Sequence, residues 1–361
     1  MQTRISRRNL LLAAAAGAQA AAAGPAAIPP YIRSRLSSDA NDGHTVVSVI
    51  PGQDRYSNVT AALLEIEDQI KAGLATKRSV LIKPNIVDPS CPPAITHPDT
   101  LRAILDFIVP RFRGPIVIGE SSAYDTFTGY ENLGYPALVQ SYAPRPVQLL
   151  DFNAEGAYEL MYTINFDTHL VPTRLAARLF DPTAYIISVA MLKTHNVVVA
   201  TMTVKNMVIG AALHQPPNAT TTWSDKRNFH IGVRGQNYDM FRNAQMQRPF
   251  WGLGVIDGLV GMEGNGPTTG TPVNSNIALA STDLIALDRV GLEAMGIDPT
   301  TVGYLTYCGQ AGLGQYDLAQ IDMRPVSIAP FQITYQLHDD IAQELMWMGP
   351  AADCGTDPVL G

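Results

Sequence analysis

Unbroken apolar runs recur along this chain, and they constrain its fold more than any other feature. They include "SVLIKPNIV" from Ser79, "PIVIGESS" from Pro115 and "AYIISVAML" from Ala184. A strand that is apolar at successive positions is buried on both faces, which is typical of a parallel sheet covered by helices. Amphipathic helical patterns, such as "AALLEIEDQIKAGL" from Ala61, lie between these runs. The sequence therefore predicts an α/β fold, a three-layer sandwich with a mostly parallel central sheet.

Helix boundary signals refine this prediction. Thr96 is expected to cap a helix whose first turn contains Pro98. Another helix is expected to begin at Ser281 or Thr282 and to stop at Gly296. Pro84 is expected to end the strand that begins at Ser79, or to lie just before its end.

The first 23 residues have the pattern of a signal peptide. Arg4, Arg7 and Arg8 precede an apolar run from Leu10, and small residues follow. The pair Arg7-Arg8 in "SRRNLL" resembles a twin-arginine signal. The alternative is an ordinary secretory signal that contains two arginines. The run is too short and too rich in alanine for a stable membrane anchor, so we expect a periplasmic or secreted protein whose partner during transport is the twin-arginine export machinery.

The remaining residues divide simply. Residues 24–43, rich in proline and alanine at their start, are expected to form a linker, and residues 44–361 a single domain. Within that domain, residues 214–251 interrupt the strand and helix pattern with many polar residues. They are expected to form either a lid over a site or a plain surface excursion.

Charge and cysteine content exclude several classes of protein. The formal net charge is -7, whereas a nucleic-acid-binding protein usually presents a basic face. The three cysteines, Cys91, Cys308 and Cys354, lie far apart in the sequence and form no C-x-x-C motif. An iron–sulfur cluster or a four-cysteine zinc site is therefore not expected.

Lysines supply the main functional signal. Lys71, Lys77 and Lys226 lie in polar surroundings and are expected at the surface, but Lys83, Lys193 and Lys205 lie within apolar runs. A buried ammonium group needs a partner or loses its proton. One interpretation is that these three lysines face a cleft at the strand ends, where open α/β sheets bind ligands, and hold a small anion bearing phosphate or carboxylate. The alternative is internal ion pairing with buried acids such as Glu120 or Asp257.

Residues near these lysines complete the predicted site. His195, two residues after Lys193 and on the same side of a strand, is the expected general acid or base, with Lys193 and Asp257 assisting. The expected substrate-binding residues flank the strand ends and the glycine-rich loop "GMEGNGPTTG", and they are Lys83, Asn85, Glu120, Ser121, Lys205, Asn206, Gly264 and Gly266.

The cofactor prediction is open. Asp257 and Glu263 are a candidate pair of ligands for a divalent cation such as Mg²⁺, although pairing of these acids with the lysines is the alternative. Such a site suits an exported enzyme of proton transfer, such as an isomerase or lyase, or an oxidoreductase. The second hypothesis is a non-catalytic periplasmic protein that binds a ligand or cofactor with the same lysines.

Five segments in order carry a resemblance to a known family: "LIKPNIV", "THPDTLRAILDFI", "IVIGESS", "MLKTHNVVVATMTVKNMVIGA" and "IDGLVGMEGNGPTTGTPVNSNIALASTDLIALDRVG". Together they resemble the bacterial and archaeal family known as domain of unknown function 362, over roughly residues 78–300. Several members carry an added ferredoxin-like module, but this sequence lacks its cysteines. The resemblance implies the fold and the location of the site, and it implies no particular reaction.

Overall fold

The computed structural model describes residues 45–91, 94–165 and 169–349. The predicted signal peptide and linker, and Cys354, lie outside these residues.

Strands and helices alternate along most of the described chain. The strands are β1 Thr45–Pro51, β2 Ser79–Lys83, β3 Ile116–Glu120, β4 Val147–Asp151, β5 Tyr158–Ile164, β6 Leu170–Ala176, β7 Ala184–His195, β8 Val199–Thr201, β9 Trp251–Glu263, β10 Thr271–Val273, β11 Ile277–Ser281 and β12 Ile321–Pro325. The helices are α1 Arg55–Glu65, α2 Glu67–Leu74, α3 Pro98–Ile108, α4 Thr126–Asn132, α5 Tyr135–Gln140, α6 Phe152–Glu155, α7 Thr203–Val208, α8 Val233–Gln247, α9 Leu284–Ala294, α10 Gly303–Gln310 and α11 Ile341–Glu344.

One large sheet forms the centre of the described chain, in the order β12-β1-β11-β9-β7-β2-β3-β4. The neighbours from β9 to β4 are all parallel, and β12 is parallel to β1. Strand β11 runs antiparallel to both β1 and β9, and the short strands β8 and β10 add antiparallel pairs to β7 and β9. The mostly parallel sheet predicted from the unbroken apolar runs is confirmed.

Helices cover both faces of this sheet. On one face, helices α1, α2, α3 and α5 pack on strand residues such as Ile82, Ile187 and Val255. On the other face, helices α7 to α10 pack on residues such as Leu81 and Ile256. Alternate residues of one strand thus enter opposite cores, which explains why these strands are apolar throughout. The predicted three-layer sandwich is confirmed.

Helix starts differ from the prediction by a residue or two. His97, not Thr96, caps α3, because its Nδ1 atom accepts a hydrogen bond from the backbone N–H of Asp99. Helix α9 begins after Asp283, whose carboxylate accepts from two backbone N–H groups of the first turn. Gly296 has a φ of 62°, so it ends this helical segment as predicted.

Residues 214–251 contain a short 3₁₀ turn, Asp225–Phe229, followed by α8. Phe229, Val233 and Met240 are buried in the same core as helices α7 and α9. This packing fixes the polar segment against the body of the fold. Its role as a lid stays a prediction.

Candidate functional site

The carboxyl ends of the parallel strands lie at one edge of the sheet and carry polar side chains. Lys83, Glu120, Asp151 and His195 are the last residues of β2, β3, β4 and β7. Ligands of open α/β sheets bind at this edge. The structure therefore brings the ends of four parallel strands, and the polar side chains on them, to one edge of the sheet.

Lys83 is fully buried and its ammonium group is saturated. Its Nζ atom donates to Oε1 of Glu120 at 2.6 Å, to Oδ1 of Asn206 at 3.0 Å and to the carbonyl of Pro84 at 3.3 Å. An ammonium group has three N–H bonds to donate, and all of them are used here. Gly210 lies directly against this group, since a Cβ atom on it would stand 2.6 Å from Nζ of Lys83. Lys83 therefore follows the ion-pair alternative, and no N–H of it is left for a substrate.

Glu120, Ser121 and Asn206 are engaged in the same internal network. Glu120 accepts from the backbone N–H groups of Ser121 and Ile86 as well as from Lys83. The Ser121 hydroxyl contacts Asn153 and donates to the carbonyl of Ala212. The Asn206 amide donates to backbone and hydroxyl oxygens on β2 and β7. These residues hold α7 to the sheet rather than facing outward.

Lys193 is also buried, but it has no carboxylate at contact distance among the described residues. Its Nζ atom donates to Oδ1 of Asn85 at 2.7 Å and to the carbonyl of Ala94 at 2.9 Å. Burial lowers the pKa of Lys193 to about 7, although Cys91 and Glu120 act in the opposite direction. One N–H bond of this lysine has no acceptor in the described part of the chain, so Lys193 is able to contact a ligand.

Lys205 lies one turn into α7, which Asp288 holds in place. The Asp288 carboxylate accepts from the backbone N–H groups of Thr203 and Val204, at 3.0 and 2.9 Å, and from the Thr203 hydroxyl. Lys205 is half-buried, and its ammonium group makes no hydrogen bond with any described residue. Burial, and then the charge of Lys193, lower the pKa of Lys205 to about 7.

Lys226 was expected at the surface, and the structure leaves it partly exposed. Burial lowers its pKa to about 7, and the nearby charges of Lys83 and Lys205 lower it further against the opposing effect of Glu120 and Asp151. Its one hydrogen bond to the described residues is a long one, 3.5 Å, to the carbonyl of Ile209. Lys83, Lys193, Lys205 and Lys226 together are called the lysine cluster below.

The ion pair between Arg174 and Asp225, which are 51 residues apart in the sequence, fixes the turn that carries Lys226. Arg174 on β6 donates to both carboxylate oxygens of Asp225, from its side chain at 2.8 and 2.9 Å and from its backbone at 2.7 Å. The Arg174 guanidinium also stacks over the ring of Trp223 at 3.5 Å. Asp225 and Trp223, the polar and aromatic neighbours of Lys226 in the sequence, therefore contact Arg174 and attach the 3₁₀ turn to β6.

Two histidines near the cluster, His195 and His230, differ in which ring nitrogen carries the proton. Nδ1 of His195 accepts from the backbone N–H of Val197 at 3.1 Å, so a neutral ring carries its proton on Nε2. Nδ1 of His230 lies 2.8 Å from the carbonyl of Lys226, which only accepts, so a neutral His230 carries its proton on Nδ1 and a lone pair on Nε2. Burial first, and then neighbouring charges including Lys205, lower the pKa of both histidines, which keeps both rings neutral at pH 7. His230 was not predicted as a site residue. Its position four residues after Lys226, about one helical turn, was the sequence feature that could have placed the two together.

The turn that follows His195 is strained. Val199 has a φ of 66°, a left-handed conformation that is unfavourable for a β-branched residue by about 1–3 kcal/mol. Its backbone N–H donates to Oε2 of Glu344 at 2.8 Å. Glu344 on α11 is fully buried, and this bond ties the hairpin β7–β8 to the last described helix. The position of His195 therefore depends on a residue far along the chain.

Asp257 and Glu263 bind partners outside the lysine cluster. Asp257 accepts from the Arg55 side chain and from the Thr100 hydroxyl, both at 2.6 Å. Glu263 accepts from the backbone N–H of Gln336 at 2.8 Å. The two carboxylates thus have separate partners, and among the described residues no group of three or more histidine, cysteine, aspartate or glutamate side chains is arranged to hold a metal ion. Asp257 is paired with arginine, so it is not positioned to assist His195 as expected.

The glycine-rich loop closes against β7 through its backbone. The N–H of Gly264 donates to the carbonyl of Gln336 and that of Gly266 donates to the carbonyl of Gly264. A Cβ atom on Gly266 would stand 2.3 Å from the carbonyl oxygen of Thr194. The N–H groups of Gly264 and Gly266 are thus used within the fold, and contact of these glycines with substrate stays a prediction.

Two comparisons with known proteins give similar chains. A thylakoid-associated protein of Synechocystis sp. is 29% identical over 213 residues, which are 58% of this chain and 60% of that protein. This chain thus spans about three fifths of the relative's length. A crystal structure of a Thermotoga maritima protein aligns with 62% of this chain and 55% of its own, at 12% identity and a TM-score of 0.38.

No helix in the described ranges is long and apolar enough to cross a membrane. A family model matches residues 80–293, more than half of the chain and the same segment that contains the lysine cluster. The chain therefore belongs to the family described as Domain of unknown function (DUF362).

Proposed function

We propose that the protein binds a small anion, bearing phosphate or carboxylate, at the lysine cluster. The observation that carries this proposal is the unused donor capacity of three neighbouring lysines. Lys193 has one N–H bond without an acceptor in the described chain, Lys226 has a single long bond, and Lys205 has none. An anion placed among them supplies the missing acceptors and favours the charged form of each lysine.

The histidines suit proton transfer on the bound anion. In the neutral ring of His195 the free Nε2 atom donates a hydrogen bond, whereas the free Nε2 atom of His230 accepts a proton. We therefore assign the general-base role to His230 rather than to His195, which stabilises developing negative charge on a substrate oxygen. This division of roles supports an enzyme of the isomerase or lyase type. The further option of a divalent cation rests on the sequence alone, and no step requires it.

Calorimetric titration with inorganic phosphate, pyruvate and lactate tests the binding step. We expect the wild-type protein to bind at least one of these anions, and Lys205→Met to weaken that binding by about tenfold or more. Lys71→Met is the matched control, because Lys71 is exposed and pairs with Glu67 at 2.6 Å. Equal loss in both variants, or wild-type binding no stronger than that of neutral acetone, contradicts the proposal.

Hydrogen exchange separates an enzyme from a non-catalytic binding protein. Proton NMR in D₂O follows the exchange of hydrogens beside the carbonyl or carboxylate of each anion that binds. An enzyme catalyses exchange, and His230→Gln abolishes the catalysed exchange while binding persists. Binding without any exchange above the uncatalysed rate favours the alternative, a periplasmic protein that only captures the anion.

We also propose that the chain is exported through the twin-arginine route and acts outside the cytoplasm. The support is the "SRRNLL" motif and the apolar run that follows. Arg7→Lys with Arg8→Lys is expected to retain the full-length chain in the cytoplasm, as measured by fractionation. Unchanged export of this double variant supports the ordinary secretory route instead.

A further inference from the structure

Strand β5 has one open edge. Its other edge pairs with β6, and the two strands form a sheet of their own. The far edge of β6 is covered, because Arg174 and Ala176 make backbone hydrogen bonds to the segment 211–213. On the open side of β5, both carboxylate oxygens of Asp239 accept from the backbone N–H of Ile164, at 3.2 and 3.1 Å. The N–H of Ile164 therefore points away from β6 and marks the direction of the open edge.

Three more residues of β5 have their backbone groups on this open edge. Backbone groups two residues apart in a strand point to the same side, so Tyr158, Leu160 and Tyr162 face the same way as Ile164. No described residue makes a hydrogen bond to the N–H or C=O groups of these three residues. Proteins usually protect such an edge with lysine, proline or a bulge, and β5 has none of these. The edge is thus able to pair with another strand.

The surface around the open edge is apolar and exposed. Six of the ten large apolar side chains that are exposed in the described chain lie on this hairpin or on the adjacent face of α8, and they are Tyr158, Leu160, Tyr162, Leu170, Tyr238 and Met246. With about 100 Å² exposed on each, they present about 600 Å² of apolar surface. A standard protein interface takes about 800 Å² from each partner. Together with its polar rim, this patch supplies the area that a stable dimer needs.

A cavity of about 370 Å³ lies between the open edge and α8. Leu160 and Met161 line it from β5, and Asp239 and Arg242 line it from α8. The Asp239 carboxylate is buried and already accepts from the backbone of β5. Arg242 is exposed, and its guanidinium group makes no hydrogen bond or ion pair with a described residue. The chemistry of this surface therefore suits an extended segment that is apolar on one face and carries a carboxylate.

We propose that β5 pairs antiparallel with β5 of a second copy of this chain, across a two-fold axis at Leu160. Residues whose backbone groups face each other form hydrogen-bonded pairs, so Leu160 faces Leu160 of the second copy and Tyr158 faces Tyr162. The segment "YELMY" has the same apolar residues when it is read from either end. Tyrosine therefore meets tyrosine and leucine meets leucine. A two-fold axis at Tyr162 would need the N–H of Ile164, which Asp239 already accepts.

The same register brings together charges that have no partner within one copy. Side chains alternate along a strand, so Glu159 and Met161 lie on the face opposite to Leu160. In the proposed register, Glu159 stands opposite Met161 of the second copy. Met161 and Arg242 line the same cavity, so the Glu159 carboxylate enters it beside the Arg242 guanidinium. Glu159 is exposed and has no ion pair with a described residue of its own chain. This complementarity favours a second copy over an unrelated peptide.

Analytical ultracentrifugation of the chain without its predicted signal peptide tests the dimer. We expect a dissociation constant of about micromolar or below. Leu160→Arg places two cations opposite each other and is expected to raise this constant by at least about a hundredfold. Leu64→Arg is the matched control, because Leu64 is 48% exposed but lies on α1, which packs on the central sheet. This control is expected to dimerise like the wild-type chain.

Charge reversal tests the register. Glu159→Arg and Arg242→Glu each place like charges together in the cavity, and each is expected to weaken the dimer by about tenfold. The double variant restores opposite charges and is expected to recover the wild-type dissociation constant to within about threefold. If the two losses add in the double variant instead, the two side chains do not meet and the proposed register is wrong.

Cross-linking gives a second measure of the register. Leu160→Cys is expected to form a disulfide between two copies on mild oxidation, because directly opposite residues have Cα atoms about 5.5 Å apart. Leu64→Cys is the control and is expected to form none. A wild-type chain that stays monomeric up to about 100 μM overturns the proposal and leaves the edge to a different protein. A dimer that persists in Leu160→Arg, or an assembly larger than two copies, also overturns it, because this two-fold contact closes on itself.

Discussion

Nζ of Lys83 lies 2.6 Å from Oε1 of Glu120, and both side chains are buried. This pair joins the ends of β2 and β3 and also receives Asn206 from α7. It explains why Lys83 is a structural element, whereas Lys205, next to Asn206 in the sequence, has no such partner among the residues that the structure describes. Substitution of Lys83 is therefore expected to cost far more stability than the same substitution of Lys205.

Lys83→Met is expected to destabilise the protein by about 3–5 kcal/mol, because it leaves the Glu120 carboxylate buried without its counter-charge. Urea denaturation at pH 7 measures the change in the free energy of unfolding. Adding Glu120→Gln to Lys83→Met removes the orphan charge and is expected to restore part of the loss. A loss below about 1 kcal/mol for Lys83→Met would mean that the pair is dispensable.

Lys205→Met is expected to change the stability of the protein by less than about 1 kcal/mol at pH 7, because Lys205 is half-buried and makes no hydrogen bond with a described residue. The measurement is the same urea titration, with Lys71→Met as the control for loss of a lysine at the surface. Destabilisation by Lys205→Met comparable to that of Lys83→Met would show that Lys205 has a structural partner and would weaken the proposed site.

Anion binding is expected to weaken as the pH rises above about 7. A bound anion favours protonated lysines, whereas Lys193, Lys205 and Lys226 lose protons in the free protein above that pH. Binding must then take up protons, and the association constant falls by up to about tenfold per pH unit for each lysine involved. Below pH 7 the constant is expected to level off. Calorimetry in two buffers of different ionisation enthalpy gives the number of protons taken up on binding. An association constant that does not change between pH 6 and pH 9 contradicts the prediction.

Asp288→Asn is expected to change how stability depends on pH. Burial raises the pKa of Asp288 to about 7 from an ordinary value of 3.8. The folded state therefore binds the extra proton between these pH values, and the Asp288 contribution to stability falls as the pH rises from about 4 to about 7. In Asp288→Asn the stability no longer falls in this way as the pH rises. The substitution also removes the acceptor of the backbone N–H of Val204, which lowers the free energy of unfolding by about 1 kcal/mol. Chemical denaturation at pH 5 and pH 7.5 compares the two proteins, and a constant difference between them excludes this role of Asp288.

Gly210→Ala is expected to destabilise the protein by about 1–3 kcal/mol and to displace Lys83. The added methyl group would stand 2.1 Å from the carbonyl oxygen of Asn206 and 2.6 Å from Nζ of Lys83, so α7 or the lysine must move. Gly129→Ala is the control, because a Cβ atom on Gly129 has a side-chain methyl group as its nearest contact, at 3.0 Å. Gly312→Ala is unsuitable, because Gly312 has a positive φ. Equal stability of Gly210→Ala and Gly129→Ala contradicts the expected crowding at Lys83.

The strands of the central sheet were predictable because a strand with apolar residues at successive positions is buried on both faces, and that pattern is visible in the local sequence. The hairpin β5–β6 was not predicted. Its first strand, "YELMYTI", buries Met161 and Thr163 but exposes residues such as Tyr158 and Tyr162, so no unbroken apolar run marks it. The sequence signal that found the buried strands is absent from a hairpin that lies outside the main sheet.

The site was predictable only in part, for a related reason. Apolar neighbours identified Lys83 and Lys193 as buried, but their bonds to Glu120 and Asn85 depend on how strands and loops pack. Lys226 has polar neighbours, and its position is set by the pair Arg174–Asp225, whose members are 51 residues apart. Long-range contacts of this kind leave no trace in local sequence.

The bond between Val199 and Glu344 has a consequence for biosynthesis. The strained hairpin that follows His195 needs an acceptor that lies 145 residues further along the chain, so the ribosome adds it long after the parallel strands have emerged. A nascent chain can thus assemble the parallel strands early, while the hairpin β7–β8 waits for Glu344 on α11. Truncated translation products that lack Glu344 are expected to fold the central sheet but to leave His195 away from its native position.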